Sequence, residues 1–182
     1  MNTEAERGIV TLLQHIGEDV SRDGLKDTPG RVVRAYEEMT KGYGMDVQGI
    51  LSKVFDIEYN QMVVSRDIQF TSLCEHHLLP FHGVAHIAYV PDKHVVGLSK
   101  LARTVDCYAW RLQVQERMTD QIGTAINKAL RPQGVGVVIC ASHMCMGCRG
   151  VRKPEAKMLT SYLSGVFKKG DTRHEFLRLA GM

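Results

Sequence analysis

Two short segments of the sequence concentrate residues that bind metals and transfer protons. They are Cys74-Glu75-His76-His77 and His143-Met144-Cys145. Thiolate and imidazole groups favour zinc, whereas magnesium and calcium prefer oxygen ligands. Residues three apart in a turn can converge on one point, so the spacing of Cys74 and His77 suits chelation. Together the two segments predict a zinc site.

Cys145 is the predicted third ligand. It follows a continuous apolar run that predicts a strand, and residues two apart in a strand point to the same face. His143 should therefore face whatever Cys145 binds. Cys74, His77 and Cys145 would be three protein ligands, which is the catalytic arrangement because zinc keeps a fourth position for water. His76 and His143 would then be free for proton transfer beside the metal.

Two other interpretations of these residues are open at this point. Buried cysteines often act as small apolar residues and buried histidines as hydrogen-bonded polar groups, so any one of them has an ordinary structural explanation. The clustering of two cysteines and three histidines argues against that explanation. The Cys145-x-x-Cys148 spacing also permits a closed structural site, in which Cys148 completes a set of four ligands.

Basic side chains occur at predicted helix starts and beside the second metal segment. Arg31 and Arg34 lie three apart at the start of a helix, where a bound anion would offset their conflict with the helix dipole. Lys100 and Arg103 form another cluster together with the hydroxyl of Ser99, and Arg149 lies beside the second metal segment. Arginine forks match phosphate oxygens, so these residues predict a polyphosphate pocket, with a solvated basic face as the alternative.

Gln115 and Glu116 precede another predicted helix. A carboxylate can accept two hydrogen bonds from a guanine edge, and a neighbouring glutamine can both donate and accept. Taken alone, the segment QVQER would be an ordinary polar helix start.

Hydrophobic periodicity predicts the elements that position these residues. Apolar residues at helical spacing predict helices over 3–18, from Asp27 onward, and over 99–110 and 116–130. Apolar or alternating runs predict strands over 62–70, 84–90, 134–141 and 158–166, while 41–49 is interpreted as a linker. The order predicts an α+β fold, with a β-β-α-α-β-β antiparallel sheet covered by helices on one face and preceded by N-terminal helices. We divide the chain into a helical region, 1–60, and a catalytic domain, 61–182.

Composition and charge exclude several classes of protein. A length of 182 residues fits one principal domain. The first residues lack a basic start followed by an apolar run, and no stretch approaches the ~18 apolar residues of a membrane span, so we expect a cytoplasmic protein without a membrane partner. The five cysteines should then be reduced. A net charge of +3 is too small to indicate a nucleic-acid partner.

Four blocks closely resemble the signatures of the type I GTP cyclohydrolase family, in the family's order and spacing. They are SLCEHHLLPFHG, VGLSKLAR, RLQVQERMT and HMCMGCRGV, and the segments TPGRVVRAYEEM and DTRHEFLRL are also similar. The resemblance implies the tunnelling fold, whose sheets join into a barrel, with two rings stacked as a homodecamer. It also implies conversion of GTP and water to 7,8-dihydroneopterin triphosphate and formate, the first step towards tetrahydrofolate or related pterins.

The same resemblance implies a role for each candidate residue. Zinc would be bound by Cys74, His77 and Cys145, and acid-base chemistry would fall to His76 and His143. Guanine would be contacted by Gln115 and Glu116, and the triphosphate and ribose by Arg31, Arg34, Ser99, Lys100, Arg103 and Arg149. Gly147 and Cys148 occupy positions that vary in the family, and Cys148 leaves a spare thiol near the site.

Two functions of other kinds are alternatives. The related nitrile reductase of queuosine biosynthesis shares the fold but uses a cysteine nucleophile and a nicotinamide cofactor, and it lacks the zinc triad. A zinc-stabilised nucleic-acid or regulatory module predicts a closed metal site and a contiguous basic stripe. The paired Cys-Glu-His-His and His-x-Cys blocks argue against the first, and the separated basic pairs argue against the second.

Overall fold

The structure is a computed structural model that describes residues 3–182. The chain divides into two compact units, one ending at Lys41 and the other spanning Gly42–Met182. The first unit contains α1 (Glu4–His15) and α2 (Thr28–Met39). A capping box begins α1, because the Thr3 hydroxyl accepts from the Glu6 amide while the Glu6 carboxylate accepts from the Thr3 amide.

The second unit is an α+β domain. Its helices are α3 (Val47–Leu51), α4 (Leu98–Ala109), α5 (Gln115–Leu130), α6 (Met144–Gly147) and α7 (Gly170–Leu179). Its strands are β1 (Val54–Phe55), β2 (Val63–Cys74), β3 (Pro80–Val90), β4 (Val95–Val96), β5 (Leu112–Gln113), β6 (Gly134–His143) and β7 (Lys157–Leu163). The long elements of this unit are β2, β3, α4, α5, β6 and β7, which confirms the predicted mixed α+β character.

Five strands form the main sheet in the order β5-β2-β3-β6-β7, with β3 at the centre. The pairs among β2, β3, β6 and β7 are antiparallel, whereas the short β5 pairs in parallel with the end of β2. In the register, Leu73 lies opposite Pro80 and Phe81 lies opposite His143. The end of β2, the start of β3 and the end of β6 therefore share one end of the sheet.

Helices α4 and α5 cover one face of the sheet and enclose the main core. Alternate residues of the strands point to this face, among them Ile87 and Ile139, and they pack with Val105, Met118 and Ile122 of the helices. Period-2 alternation on a half-covered sheet gives this pattern. The two long helices on one face agree with the expectation from the sequence.

Three parts of the second unit differ from the sequence-based expectation. The segment interpreted as a linker contains a 3-10 turn and most of α3, and Leu51 is buried in the main core. The opposite face of the sheet is not bare, since Phe167 and Phe176 pack there against Ala88 and Val138. Phe176 belongs to α7, whose apolar pattern is too sparse to be recognised without the sheet that it covers.

Over residues 3–182, none of the helices combines the length and the apolar character that crossing a membrane requires.

Gly136 of β6 provides the space into which α7 docks. A Cβ added at this position would lie 2.9 Å from ring atoms of both Phe167 and Phe176. Gly136→Ala should therefore lower the free energy of unfolding by about 1–3 kcal/mol, because overpacking forces the rings to shift. Urea unfolding followed by circular dichroism measures the effect.

The matched control is Gly170→Ala, at the start of α7, where an added Cβ meets no atom of residues 3–182 within 4 Å apart from its chain neighbours and the backbone of its own helix. We expect this variant to change stability by no more than about 0.5 kcal/mol. An equal loss of stability in both variants would show that the close packing at Gly136 is not the cause of the destabilisation.

His86 links the centre of the sheet to a bulge in β2. It is 4% exposed, and its Nδ1 accepts from the amide of Asp67, which has a left-handed φ of 59°. Burial lowers the pKa of His86, opposed by the charge of Asp67 and reinforced by Arg66. The folded protein therefore binds this proton less readily than the unfolded chain does.

It follows that the free energy of unfolding should fall as the pH is lowered through about 6.5, the ordinary pKa of histidine, towards the lower pKa of His86. The glutamine of His86→Gln cannot take up a proton, so the free energy of unfolding of this variant should depend less on pH over this interval. Unfolding midpoints of both proteins at several pH values test this, and identical slopes would contradict it.

Candidate metal centre

The first metal segment forms the tight turn between β2 and β3. Cys74 ends β2 and is 7% exposed, and its carbonyl oxygen accepts from the amides of His77 and Leu78, at 3.3 and 2.8 Å. The Cys74 amide in turn donates to Leu79, at 2.8 Å. Leu78 has a left-handed φ of 55°, which lets the chain reverse before β3 begins. The turn thereby holds Cys74 in the core and His77 at the surface.

The second segment reaches the same point from β6. The strand ends at His143, and Cys145 lies in the short helix α6. The predicted strand alternation between His143 and Cys145 is therefore wrong, because the chain turns into a helix between them. Cys145 nevertheless packs against the main core beside Cys74.

The ligand atoms of Cys74, His77 and Cys145 all lie within 4.8 Å of one another. The Cys74 Sγ is 3.9 Å from the His77 Nδ1. Tetrahedral zinc with ordinary bond lengths places such atoms about 3.6–3.8 Å apart, so small movements complete the geometry. Among residues 3–182 this is the group of three potential metal ligands whose donor atoms lie this close together. Cys148 is exposed and does not belong to it.

The electrostatics of the two thiols also fit a cation. Burial, followed by the neighbouring Cys74, raises the pKa of the Cys145 thiol. Two thiolates side by side repel each other, and a divalent cation between them offsets this repulsion and releases their protons. The donor set therefore suits a soft or borderline divalent metal.

Arg149 lies on the far side of the His77 ring, where its Nη1 donates to Nε2 at 2.9 Å. Accepting at Nε2 places the ring hydrogen on Nδ1, the nitrogen that faces Cys74. Binding a cation at Nδ1 requires the other tautomer, which leaves Nε2 unable to accept from Arg149. Arg149, the predicted phosphate contact, and His77, the predicted metal ligand, are thus in direct contact.

The two histidines predicted for proton transfer have different surroundings. His143 stacks on Phe81 with ring centroids 4.7 Å apart, and its Nδ1 is buried without a partner among residues 3–182. Burial lowers the pKa of His143, opposed by the charge of Glu116. His76 is exposed, with its Nδ1 4.0 Å from the Cys74 Sγ.

The two residues predicted to read guanine begin α5. Glu116 is exposed in the first turn. Gln115 is 2% exposed, and its Nε2 donates to Ile139, Met158 and Thr160, at 3.0–3.1 Å. The Oε1 of Gln115 is buried without a partner among the described residues. Gln115 can therefore still accept a hydrogen bond, but its amide hydrogens are already used.

The other residues predicted to contact phosphate lie in two further places, one in each unit. Ser99, Lys100 and Arg103 lie in the first half of α4, which starts where the Val96 amide donates to the Tyr89 hydroxyl, near the end of β3. Because β3 begins beside the metal ligands, these residues lie towards the opposite end. Arg31 and Arg34 are exposed in the N-terminal unit, where they line a cavity of about 630 Å³.

The fold and the site define a class of protein, an α+β protein with a potential mononuclear metal centre of two thiols and one imidazole. Comparison with known sequences gives the family, since residues 5–181 match the model of the family described as GTP cyclohydrolase I. The chain belongs to the GTP cyclohydrolase I family and is an enzyme of that family.

Two relatives that match nearly the whole chain support this assignment. The GTP cyclohydrolase 1 of Gloeobacter violaceus is 54% identical over 171 residues, covering 93% of this chain and 80% of the relative. That of Leptospira biflexa is 52% identical over 176 residues, covering 96% of each chain.

Among solved structures, an archaeosine synthase QueF-Like in its apo form has a TM-score of 0.46 at 15% identity, covering 58% of this chain and 92% of that one.

Removing single thiols tests the ligand set. Cys74→Ser and Cys145→Ser should each weaken metal binding by more than about 100-fold, because each would remove one of the three candidate ligands. Cys148→Ser is the matched control and should keep its metal. Metal content after dialysis measures how much metal each variant keeps, and competition with a chromophoric chelator measures its affinity. Loss of zinc from Cys148→Ser with retention in Cys74→Ser would show that the assignment is wrong.

Proposed function

We propose that this enzyme uses zinc to convert GTP and water to 7,8-dihydroneopterin triphosphate and formate, as the first step towards tetrahydrofolate or related pterins. The observation that carries the proposal is the convergence of Cys74, His77 and Cys145 in a chain of this family. Two thiols and an imidazole suit zinc, and three ligands leave one position open. The exposed position of Cys148, outside the group, favours this open site over a closed structural one.

When bound, zinc supplies a Lewis acid and lowers the pKa of water to about 7, which allows hydrolytic attack at C8 of guanine near neutral pH. We assign His143 the transfer of a proton to the adjacent ring nitrogen. Two observations support this role: its Nδ1 has no partner within residues 3–182, and the Phe81 ring fixes its plane. His76 would assist later proton transfers from its exposed position in the metal turn.

Guanine recognition is assigned to Glu116 and Gln115. The Glu116 carboxylate can accept two hydrogen bonds from the guanine edge, and it lies near enough to His143 to affect its pKa. Gln115 is assigned to the same role from the family resemblance, and its buried Oε1 is an acceptor without a partner among residues 3–182. A base held by these groups would lie between the start of α5 and the end of β6, next to the metal ligands.

The triphosphate and ribose contacts are assigned to Arg31, Arg34, Ser99, Lys100, Arg103 and Arg149. Arg149 is the member of this set that contacts a metal ligand, whereas the cluster in α4 lies towards the opposite end of the sheet. One chain thus holds only part of the pocket in one place. This supports the proposal that neighbouring chains complete it.

We propose that the β-β-α-α-β-β unit is a tunnelling fold, assembled in the cytoplasm as a homodecamer of two stacked rings. Both edges of the main sheet are compatible with pairing between copies. On one edge β7 has no further neighbour among the described residues, and on the other β5 covers only Leu73 and Cys74 of β2. Unpaired strand edges are ready to pair with another chain.

Incubating the protein with GTP tests the proposed reaction. We expect one formate and one pterin chromophore for each GTP consumed, loss of turnover after chelation and recovery with zinc, since the nucleophile depends on the metal. Formate is measured enzymatically and the pterin by absorbance and fluorescence. Release of phosphate or diphosphate without formate would contradict the proposal.

His143→Ala tests the assigned proton transfer. We expect kcat to fall by about 10²–10⁴-fold, while zinc content stays the same and GTP binding changes by less than about threefold. The control is His174→Ala, an exposed histidine of α7, which should keep full activity. Loss of zinc from His143→Ala would instead place His143 among the ligands.

A further inference from the structure

Arg117, in the first turn of α5, is bonded to the turn that carries the metal ligands. Its Nη1 donates to Glu75 Oε1 at 3.3 Å, and its Nη2 donates to Glu75 Oε2. Its Nε donates to Gln113 Oε1 at 3.2 Å, and Nη2 also donates to the Leu112 carbonyl at 3.3 Å. One guanidinium thus connects the metal turn, β5 and α5.

The location of this arginine is unfavourable for the helix by itself. A cation in the first turn of a helix opposes the positive end of the helix dipole. The Glu75 carboxylate compensates for that conflict. The side chains of Arg117 and Glu75 are 45% and 31% exposed, and pairs so exposed contribute little to stability, about 0–1 kcal/mol. Fold stability is therefore a weak explanation for the pair.

The pair lies between two sets of residues that the reaction needs. Glu75 is flanked by Cys74 and His76 in the metal turn, and Arg117 directly follows Glu116. Apart from this pair, the Glu75 amide donates to the Gln113 carbonyl at 3.0 Å. The pairing of Leu73 and Cys74 with β5 holds the base of the metal turn. The bidentate guanidinium contact adds a restraint on the Glu75 side chain, within the turn itself.

The support beneath Arg117 is rigid. Gln113 is 2% exposed, and its Nε2 donates to the Tyr108 carbonyl at 3.0 Å and to Gln121 Oε1 at 2.9 Å. Its Oε1 is therefore fixed in orientation, and it accepts the hydrogen bond from the Arg117 Nε. The guanidinium is consequently oriented by a buried amide before it meets Glu75.

We infer that Arg117 and Glu75 are positioning residues that fix the metal turn relative to the guanine-binding start of α5. The inference rests on the proposed function in that Glu116 holds the base. Neither residue is assigned a contact with the substrate. Attack at C8 requires reacting atoms about 3–3.5 Å apart, and a displacement of about 1 Å can cost about 100-fold in rate. The pair would hold that distance.

Three variants test the inference. Arg117→Met and Glu75→Ala should each lower kcat by about 10–100-fold, with GTP binding changed by less than about threefold and zinc content unchanged. Arg117→Lys should recover part of the rate, because lysine keeps the charge but lacks the fork. The variant that combines Arg117→Met with Glu75→Ala should have a kcat no lower than that of the less active single variant, since both substitutions remove the same contact.

The matched control is Arg66→Met, which removes another exposed arginine–carboxylate pair, that with Asp67. It should leave kcat unchanged. Hydrogen exchange of amides in residues 74–79 gives a readout that does not depend on the substrate. It should become about tenfold faster in Arg117→Met and stay unchanged in Arg66→Met.

Several results would overturn the inference. One is a kcat within about twofold of the original protein in Arg117→Met, and another is a parallel loss of zinc and activity, which would indicate support of the metal alone. Unchanged hydrogen exchange would overturn it whatever the substrate is. Faster exchange in a protein that forms no formate from GTP would support the pairing and reject the proposed function instead.

Discussion

The register of β3 against its two neighbours is the constraint on which the site depends. Leu73 opposite Pro80 and Phe81 opposite His143 bring two segments that are far apart in the chain to one end of the sheet. A slip of one residue would turn His143 to the other face, because side chains alternate along a strand. The hydrophobic core protects against such a slip, since it would also turn Ile139 of β6 out of the main core.

The site built on this register combines thiols that are unfavourable neighbours in the absence of a cation. Burial and the nearby Cys74 both raise the pKa of Cys145, so its thiol resists ionisation in the protein alone. A divalent cation bound by both thiols would reverse this preference and tie the β2 turn to α6. Metal affinity, proton release and local rigidity are thus parts of one equilibrium. The His77 tautomer and the Arg149 contact are coupled to the same equilibrium.

The location of the basic residues limits what one chain can do. Arg149 is beside the metal ligands, but the cluster at the start of α4 is separated from them by much of the sheet. A substrate with a base at one end and a triphosphate at the other needs contacts at both ends. Among the described residues, β7 has no neighbour on its outer edge and β5 covers only Leu73 and Cys74 on the outer edge of β2. In the proposed assembly, these edges would be where further copies of the chain pair.

The sequence by itself determined the donor types, the ligand spacing and the mixed α+β character, because these depend on side-chain chemistry and local periodicity. The three side chains that it singled out as ligands do lie together. Tertiary structure decided that β6 ends at His143, that Gln115 has only an acceptor left, and that α7 covers the second face of the sheet. A cation at the start of α5 was a visible signal for Arg117, but its partner was not. Those outcomes depend on contacts between residues distant in the chain, which no local pattern records.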